Sequence, residues 1–140
     1  MPQFQKTEVN QMNVHVLTTD KFKTNTIVVN IERPLIEEAV TKTALLPQVL
    51  RRGTKTYPTL KQIKEHLDDL YGHVMKRGER HILQFGLDIA NERFLSDTTP
   101  LLDRGIAFMG EILNEPATEG DRFVESYIQT EKQNLRQRIE

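Results

Sequence analysis

The stretch that decides the fold is Ile82-Leu83-Gln84-Phe85-Gly86-Leu87-Asp88-Ile89. Large apolar side chains alternate in it with polar or small ones, and a period of two is the pattern of a strand with one face against a core. Together with the residues before it, this strand predicts a β-hairpin over residues 73–91, with a polar turn at residues 76–80. A sheet of this kind needs a second layer to cover its apolar face.

Two further strands are predicted on the N-terminal side, at residues 13–17 and 26–31, where apolar and β-branched residues dominate. Only a short polar connector separates them, so we expect the two strands to form an antiparallel pair. A helix is predicted next, over residues 36–50. Pro47 is expected to kink its last turn, and Gly53 lies just beyond its end as a stop signal.

A second helix is predicted to begin at Thr59, because Thr59 and Gln62 have the spacing of a capping box. Its predicted buried stripe consists of Leu60, Ile63, Leu67, Leu70 and Tyr71. Two more helices follow the hairpin. One has a start signal at residues 97–100, and the last is predicted to open at residues 120–121 and to run to the final residue.

The predicted element order is therefore β-β-α-α-β-β-α-α. This order favours an α+β fold, in which helices pack on one face of an antiparallel sheet. The length of 140 residues is that of one domain, so residues 1–140 are expected to share a single core.

Composition excludes several function classes. Lys and Arg sum to 19 and Asp and Glu to 20, a balance that argues against nucleic-acid binding. No apolar run approaches the ~20 residues of a membrane-spanning helix, and the first residues lack the apolar core of a signal peptide. The chain has no cysteine, which excludes a disulfide scaffold, a zinc ribbon and a thiol nucleophile. We therefore expect a cytoplasmic protein that binds neither membranes nor nucleic acid.

A search for a helical zinc site gives one near match. Two histidines four residues apart share a helix face and can bind zinc with a glutamate between them. Residues 62–66 would have this pattern if Gln62 were histidine, but glutamine is a poor zinc ligand. The more ordinary interpretation of Lys64, Glu65 and His66 is a solvated helix face.

One segment is more specific, namely Thr43-Ala44-Leu45-Leu46-Pro47-Gln48-Val49-Leu50-Arg51-Arg52-Gly53-Thr54. It is followed by Tyr57-Pro58-Thr59 and by a helix ending in Leu70-Tyr71-Gly72. This pattern resembles the N-terminal unit of the insulinase-like (pitrilysin) zinc metallopeptidases. Members of that family carry a helix with His-x-x-Glu-His and then Gly-Thr, and their element order matches along almost the whole chain.

The resemblance places the family's zinc motif on residues 44–48. Ala44 then replaces the first histidine, Pro47 the catalytic glutamate and Gln48 the second histidine. On the last helix, Glu131 resembles the family's structural glutamate, and Arg138 falls where the third ligand is expected. Alanine offers no lone pair, proline cannot take a proton from water, and an arginine would repel zinc. We therefore expect no zinc cofactor and no hydrolysis by this chain alone.

The same family often works as paired, unequal subunits, of which one lacks the zinc motif. This sequence is similar to the bacterial non-catalytic subunits. The resemblance therefore implies a heterodimer in which this chain binds or encloses a peptide substrate beside a zinc-bearing peptidase. Arg51, Arg52 and Lys55 are candidates for contact with the partner or the peptide, although a solvated rim is the more common role of a short charge run.

Two other interpretations stay open at this point. One is an active metallopeptidase with displaced ligands, for which Glu65, His66 and Glu131 are the candidates. The other is a purely structural module that binds a protein partner. The family's unit is larger than 140 residues and its full chain holds two units. The resemblance thus implies an incomplete N-terminal unit of a longer chain, whose exposed apolar face would favour self-association.

Overall fold

A computed structural model describes residues 3–32, 36–37, 40–70, 73–79, 82–95 and 99–139. The predicted α+β fold class is confirmed, with helices on one face of an antiparallel sheet. A short 3-10 turn at Glu92–Phe94 follows the second hairpin strand. The strands and helices are β1 (Gln5–Val9), β2 (Met12–Val16), β3 (Thr24–Glu32), α1 (Val40–Leu50), α2 (Leu60–Asp69), β4 (His73–Glu79), β5 (Ile82–Ala90), α3 (Leu101–Asn114), β6 (Thr118–Glu119), β7 (Arg122–Phe123) and α4 (Glu125–Ile139).

Strand β5 is the centre of the main sheet, whose strand order is β3-β5-β4 with both pairs antiparallel. The alternation that predicted this strand is confirmed. Its core-facing side chains are each at most 1% exposed, and they are Leu83, Phe85, Leu87 and Ile89. On the opposite face, Thr26 donates to the Asp88 carboxylate, and the Gln84 amide donates to Asn30 at 3.0 Å. The sheet therefore has one dry face and one polar face.

The helices cover the dry face. Helix α3 contributes the large side chains Leu101, Phe108, Met109 and Ile112, and α2 contributes Ile63 and Leu67. Gly105 brings α3 close to the sheet, since a Cβ at this position would lie 2.9 Å from Cδ1 of Ile89. The capping box of α2 is confirmed, with Thr59 and Gln62 bonded reciprocally.

The predicted pairing of the first two strands is wrong. Strand β2 pairs instead with β1, through a turn at Asn10 and Gln11 whose backbones both have positive φ. Strand β3 pairs with β5 over all nine of its residues, from Thr24 opposite Ala90 to Glu32 opposite Ile82. Strand β1 carries no pattern that predicts it, because its five residues are exposed and lack a core-facing alternation.

Three predicted element boundaries are also corrected. Helix α1 begins at Val40, and Ile36 lies before it with 53% of its surface exposed. Strand β4 runs on to Glu79, through most of the predicted turn. Residues 120–121 form the turn of the small β6–β7 hairpin, where Gly120 adopts a φ of +66°, so the last helix begins only afterwards.

Other boundary signals lie outside the described residues. They are the predicted end of the second helix at Tyr71 and Gly72, residue 80 of the predicted hairpin turn, and residues 97–98 of the predicted start signal for the third helix. In the part of the chain that the structure describes, no helix combines the length and the apolar character needed to cross a membrane.

The Gly53-Thr54 junction ties the end of α1 to the rest of the helical layer. Thr54 is fully buried, its amide donates to the Tyr57 carbonyl at 2.8 Å, and its hydroxyl accepts from the Tyr57 amide at 2.9 Å. The Gly53 carbonyl accepts from the amide of Ala117 at 3.1 Å, just after α3. A Cβ on Gly53 would lie only 2.5 Å from the Pro58 carbonyl oxygen, so the junction has no room for a larger residue.

Replacing Gly53 by alanine is therefore expected to lower the free energy of unfolding by about 1–3 kcal/mol, because the Pro58 backbone must move away. Gly110→Ala is the matched control, since a Cβ there meets nothing within 4 Å on an α-helix and should stabilise by up to about 1 kcal/mol. Urea denaturation of both variants measures the difference. Equal stabilities for the two would show that the close approach has no energetic weight.

Candidate functional site

The motif helix, α1, carries the three positions at which the resemblance places the family's zinc motif. Ala44 and Gln48 are one turn apart and both half-buried, while Pro47 is fully buried inside the helix. The helix contacts β4, β5 and α4, so the sheet and the last helix fix its orientation. The motif helix is thus present and packed, but it carries a methyl group, a pyrrolidine ring and a neutral amide.

Glu131 on α4 faces the end of this helix. Its Oε1 lies 2.8 Å from Nε of Arg52, and its Oε2 accepts a long hydrogen bond of 3.5 Å from Nδ2 of Asn134. The carboxylate side chain is 8% exposed and the guanidinium side chain 21%, so this ion pair is largely out of water. A cation from the chain itself therefore neutralises Glu131.

The donor groups at these positions do not fit a zinc ion. Zinc sites in proteins are built from His, Cys, Asp and Glu, none of which stands at Ala44, Pro47 or Gln48. Arg138, at the position that the resemblance gives to the third ligand, is an exposed cation on α4. Within the described ranges, no group of three or more acidic or histidine side chains is placed to hold a metal.

The displaced-ligand candidates are engaged in three different environments. Glu65 is 63% exposed, with its Oε1 4.0 Å from Nζ of Lys61 on the outer surface of α2. His66 is buried against aromatic rings, and Glu131 is bonded to Arg52.

The interpretation of Arg51 and Arg52 as a solvated rim is corrected. Both residues are half-buried, because the end of α1 is enclosed by α4 and the junction beside it. The Nε atom of Arg51 is buried and has no hydrogen-bond partner among the described residues. Lys55 is exposed, as expected. Contact of these arginines with a partner or a peptide stays a prediction.

A second feature, which the sequence interpretation missed, is centred on His66. The predicted solvated face is wrong for this residue, which is only 9% exposed. Its ring stacks on Tyr57 with 4.3 Å between centroids, and the edge of Phe108 meets it at 4.7 Å. The spacing could have shown this, because His66 follows the buried Ile63 by three residues and so lies on the same helix face.

These rings line an open cleft of about 590 Å³ between the loop after α1, helix α2 and helix α3. The lining residues are Thr56, Tyr57, His66, Arg104, Ala107, Phe108, Gly110, Glu111, Asn114 and Glu115. Burial, and next the Arg104 guanidinium, lower the pKa of His66, while the carboxylates of Asp69 and Glu111 act in the opposite direction. The imidazole at the base of the cleft is therefore neutral at pH 7.

The fold of the chain is similar to that of two solved structures. The crystal structure of pitrilysin matches 99% of this chain and 14% of its own chain, with a TM-score of 0.71 at 17% identity. The crystal structure of a conserved protein from Enterococcus faecalis V583 matches 88% of this chain and 30% of its own chain, with a TM-score of 0.78 at 30% sequence identity. The fold is therefore that of an insulinase-like peptidase unit.

A relative in sequence narrows this class. The chain is 42% identical to a Bacillus subtilis (strain 168) protein named "Probable inactive metalloprotease YmfF", over 96% of this chain and 33% of that protein. No family model matches the sequence. The predicted resemblance to the insulinase-like (pitrilysin) peptidases is confirmed, and the chain spans about a third of this relative's length.

The Arg52–Glu131 pair gives a stability prediction. Arg52→Met leaves a buried carboxylate without its cation and is expected to lower the free energy of unfolding by about 2–3 kcal/mol. The double variant Arg52→Met/Glu131→Leu should recover part of this loss, since no charge is then left unpaired. Lys61→Met, at the exposed pair on α2, should change stability by less than about 0.5 kcal/mol. Chemical denaturation distinguishes these cases, and additive losses in the double variant would contradict the pairing.

His66 gives a prediction of pH dependence. Its pKa is lowered in the folded chain, so the unfolded chain binds the proton first as pH falls below about 6.5. The free energy of unfolding should therefore decrease from pH 7 toward the lowered folded pKa. His66→Phe preserves a stacked ring but cannot bind a proton, and it should remove this part of the pH dependence. Denaturation curves across this pH range test it, with His15→Gln on the exposed face of β2 as control.

An unchanged pH slope in His66→Phe would contradict the assignment, because the proton would then be bound elsewhere. Loss of the pH dependence of the free energy of unfolding in the His15→Gln control would also contradict the assignment to His66.

Proposed function

We propose that the chain is part of a non-catalytic insulinase-like peptidase homologue, which binds or encloses peptides beside a zinc-bearing peptidase subunit. The observation that carries this proposal is the packed motif helix itself. The resemblance gives this helix the position of a zinc-binding helix, but Ala44, Pro47 and Gln48 supply neither the ligands nor the base.

The chemistry of peptide hydrolysis explains why these three positions matter. A zinc peptidase lowers the pKa of a bound water, and a nearby carboxylate takes its proton as the water attacks the peptide carbonyl. Proline at position 47 has no proton acceptor in its side chain. The alanine and the glutamine leave the helix without the imidazole ligands, so this part of the chain has no means to activate water.

The surrounding scaffold, in contrast, is intact. The Gly53-Thr54 junction is fully packed, and Glu131 still reaches back from the last helix to the end of α1. A packed scaffold without the reactive groups suits a subunit that contributes shape to a chamber rather than chemistry. The name of the Bacillus subtilis relative, a probable inactive metalloprotease, supports the same proposal.

The partner follows from the missing chemistry. If the whole protein takes part in peptide hydrolysis, the zinc must come from another subunit, and an insulinase-like peptidase with an intact His-x-x-Glu-His motif can supply it. The chain spans a third of its relative's length. The proposal therefore includes a longer two-unit protein that forms the heterodimer in the cytoplasm.

Metal analysis, peptidase assays and copurification test the proposal together. The full-length protein, purified after growth with zinc, is expected to hold substoichiometric zinc and to cleave no quenched fluorescent peptide alone. It is also expected to copurify with an intact-motif homologue from the same organism, and the complex should cleave.

The active-enzyme alternative makes the opposite prediction for the same samples. Stoichiometric zinc that is lost in Glu65→Gln, His66→Phe or Glu131→Gln, together with cleavage by the protein alone, would overturn the non-catalytic assignment. Lys64→Gln is the matched control, because Lys64 is an exposed neighbour on α2 with no metal-binding group. Failure to copurify any intact-motif homologue would overturn the partnership.

A further inference from the structure

The His66 cleft contains a polar group that the described part of the chain leaves without a hydrogen bond. The ring nitrogens of His66 are not among the fully buried polar atoms, so they are accessible from the cleft. His66 is 9% exposed and its contacts within the described residues are ring contacts with Tyr57 and Phe108. Because the ring also lines the cleft, its polar edge is available to a molecule inside.

Two charges of opposite sign flank this imidazole. Arg104 and Glu111 both line the cleft and lie seven residues apart on α3, a separation of about 10 Å along the helix axis. Among the described residues neither takes part in an ion pair, since the salt bridges join Arg52 to Glu131 and Lys61 to Glu65. Within the described ranges, the cleft therefore presents an unpaired cation and an unpaired carboxylate about two helix turns apart.

The space between the two charges is open and partly apolar. Tyr57 and Phe108 form an aromatic wall. Gly110 leaves room on the helix side, because an added Cβ there would meet nothing within 4 Å. The volume of about 590 Å³ lies in the range of small-ligand sites.

We propose that this cleft binds a short peptide with free ends. The peptide carboxylate pairs with Arg104, its ammonium group pairs with Glu111, and an apolar side chain lies against Tyr57 and Phe108. An extended chain advances ~3.3–3.6 Å per residue, so three residues match the ~10 Å that separates the two positions along the axis of α3. A backbone amide or carbonyl of the peptide then satisfies His66.

Other small ligands fit the cleft less well. A phosphate compound would bring its negative charge close to Glu111 and Glu115, which both line the cleft. A neutral sugar would leave Arg104 and Glu111 unpaired. The proposal does not depend on the zinc-bearing partner, because every group that it uses belongs to this chain and lies outside the motif helix.

A titration of the protein with the tripeptide Ala-Phe-Ala tests the site. The readout is the NMR chemical shifts of the His66 ring protons and of the backbone amides around the cleft. Saturable shifts are expected with the free peptide. The same peptide with acetylated and amidated ends should bind at least about tenfold more weakly, because both charge-assisted contacts are lost.

Single substitutions assign each end. In Arg104→Gln, the free acid and its C-terminal amide should bind equally, and in Glu111→Gln the free amine and its N-acetyl form should bind equally. Asp103→Asn, an exposed neighbour on α3 outside the cleft, is the control and should preserve the preference for free ends.

The absence of saturable shifts would overturn the proposal, as would shifts that are insensitive to blocking the ends. Selectivity that persists in both substituted chains would also overturn it, provided that their thermal unfolding is like that of the unsubstituted protein. None of these outcomes bears on zinc content or copurification, so this proposal and the proposed function fail separately.

Discussion

The close approach of Gly53 to the Pro58 carbonyl oxygen is the constraint on which the helical layer depends. It lets the chain reverse directly after α1, so that Thr54 is buried and bonds with Tyr57 on the far side of the turn. The same turn accepts a hydrogen bond from Ala117. One residue without a side chain thus joins the motif helix, the start of α2 and the connection after α3.

The Arg52–Glu131 pair gives this scaffold a second connection, between the end of α1 and α4. Here a guanidinium 2.8 Å from a buried carboxylate makes the contact. Removing charges from water is costly, so such a pair specifies how the helices meet more than it stabilises them. The contact between these two helices is therefore made by side chains of the chain itself.

The sequence predicted best what is encoded in alternation and capping. The dry face of β5 and the reciprocal bonds of Thr59 with Gln62 follow from local spacing, and both are confirmed. The predicted strand pairing was wrong. Strand β3 pairs with β5, which lies about fifty residues or more further along the chain, because both have an apolar face toward the same core. The exposed strand β1 left no pattern to detect.

Of the two candidate sites, the sequence allowed the motif positions to be placed but not the His66 cleft. The motif positions could be placed from the resemblance, because Gly53 and Thr54 anchor them in sequence. The cleft could not, because Tyr57, His66 and Phe108 come from three separate segments and meet only through tertiary packing. A motif search examines residues that are neighbours in sequence, and here it favoured a solvated helix face for a histidine at the centre of an aromatic cluster. The chemistry that the motif helix lacks therefore says little about what the opposite side of α2 can bind.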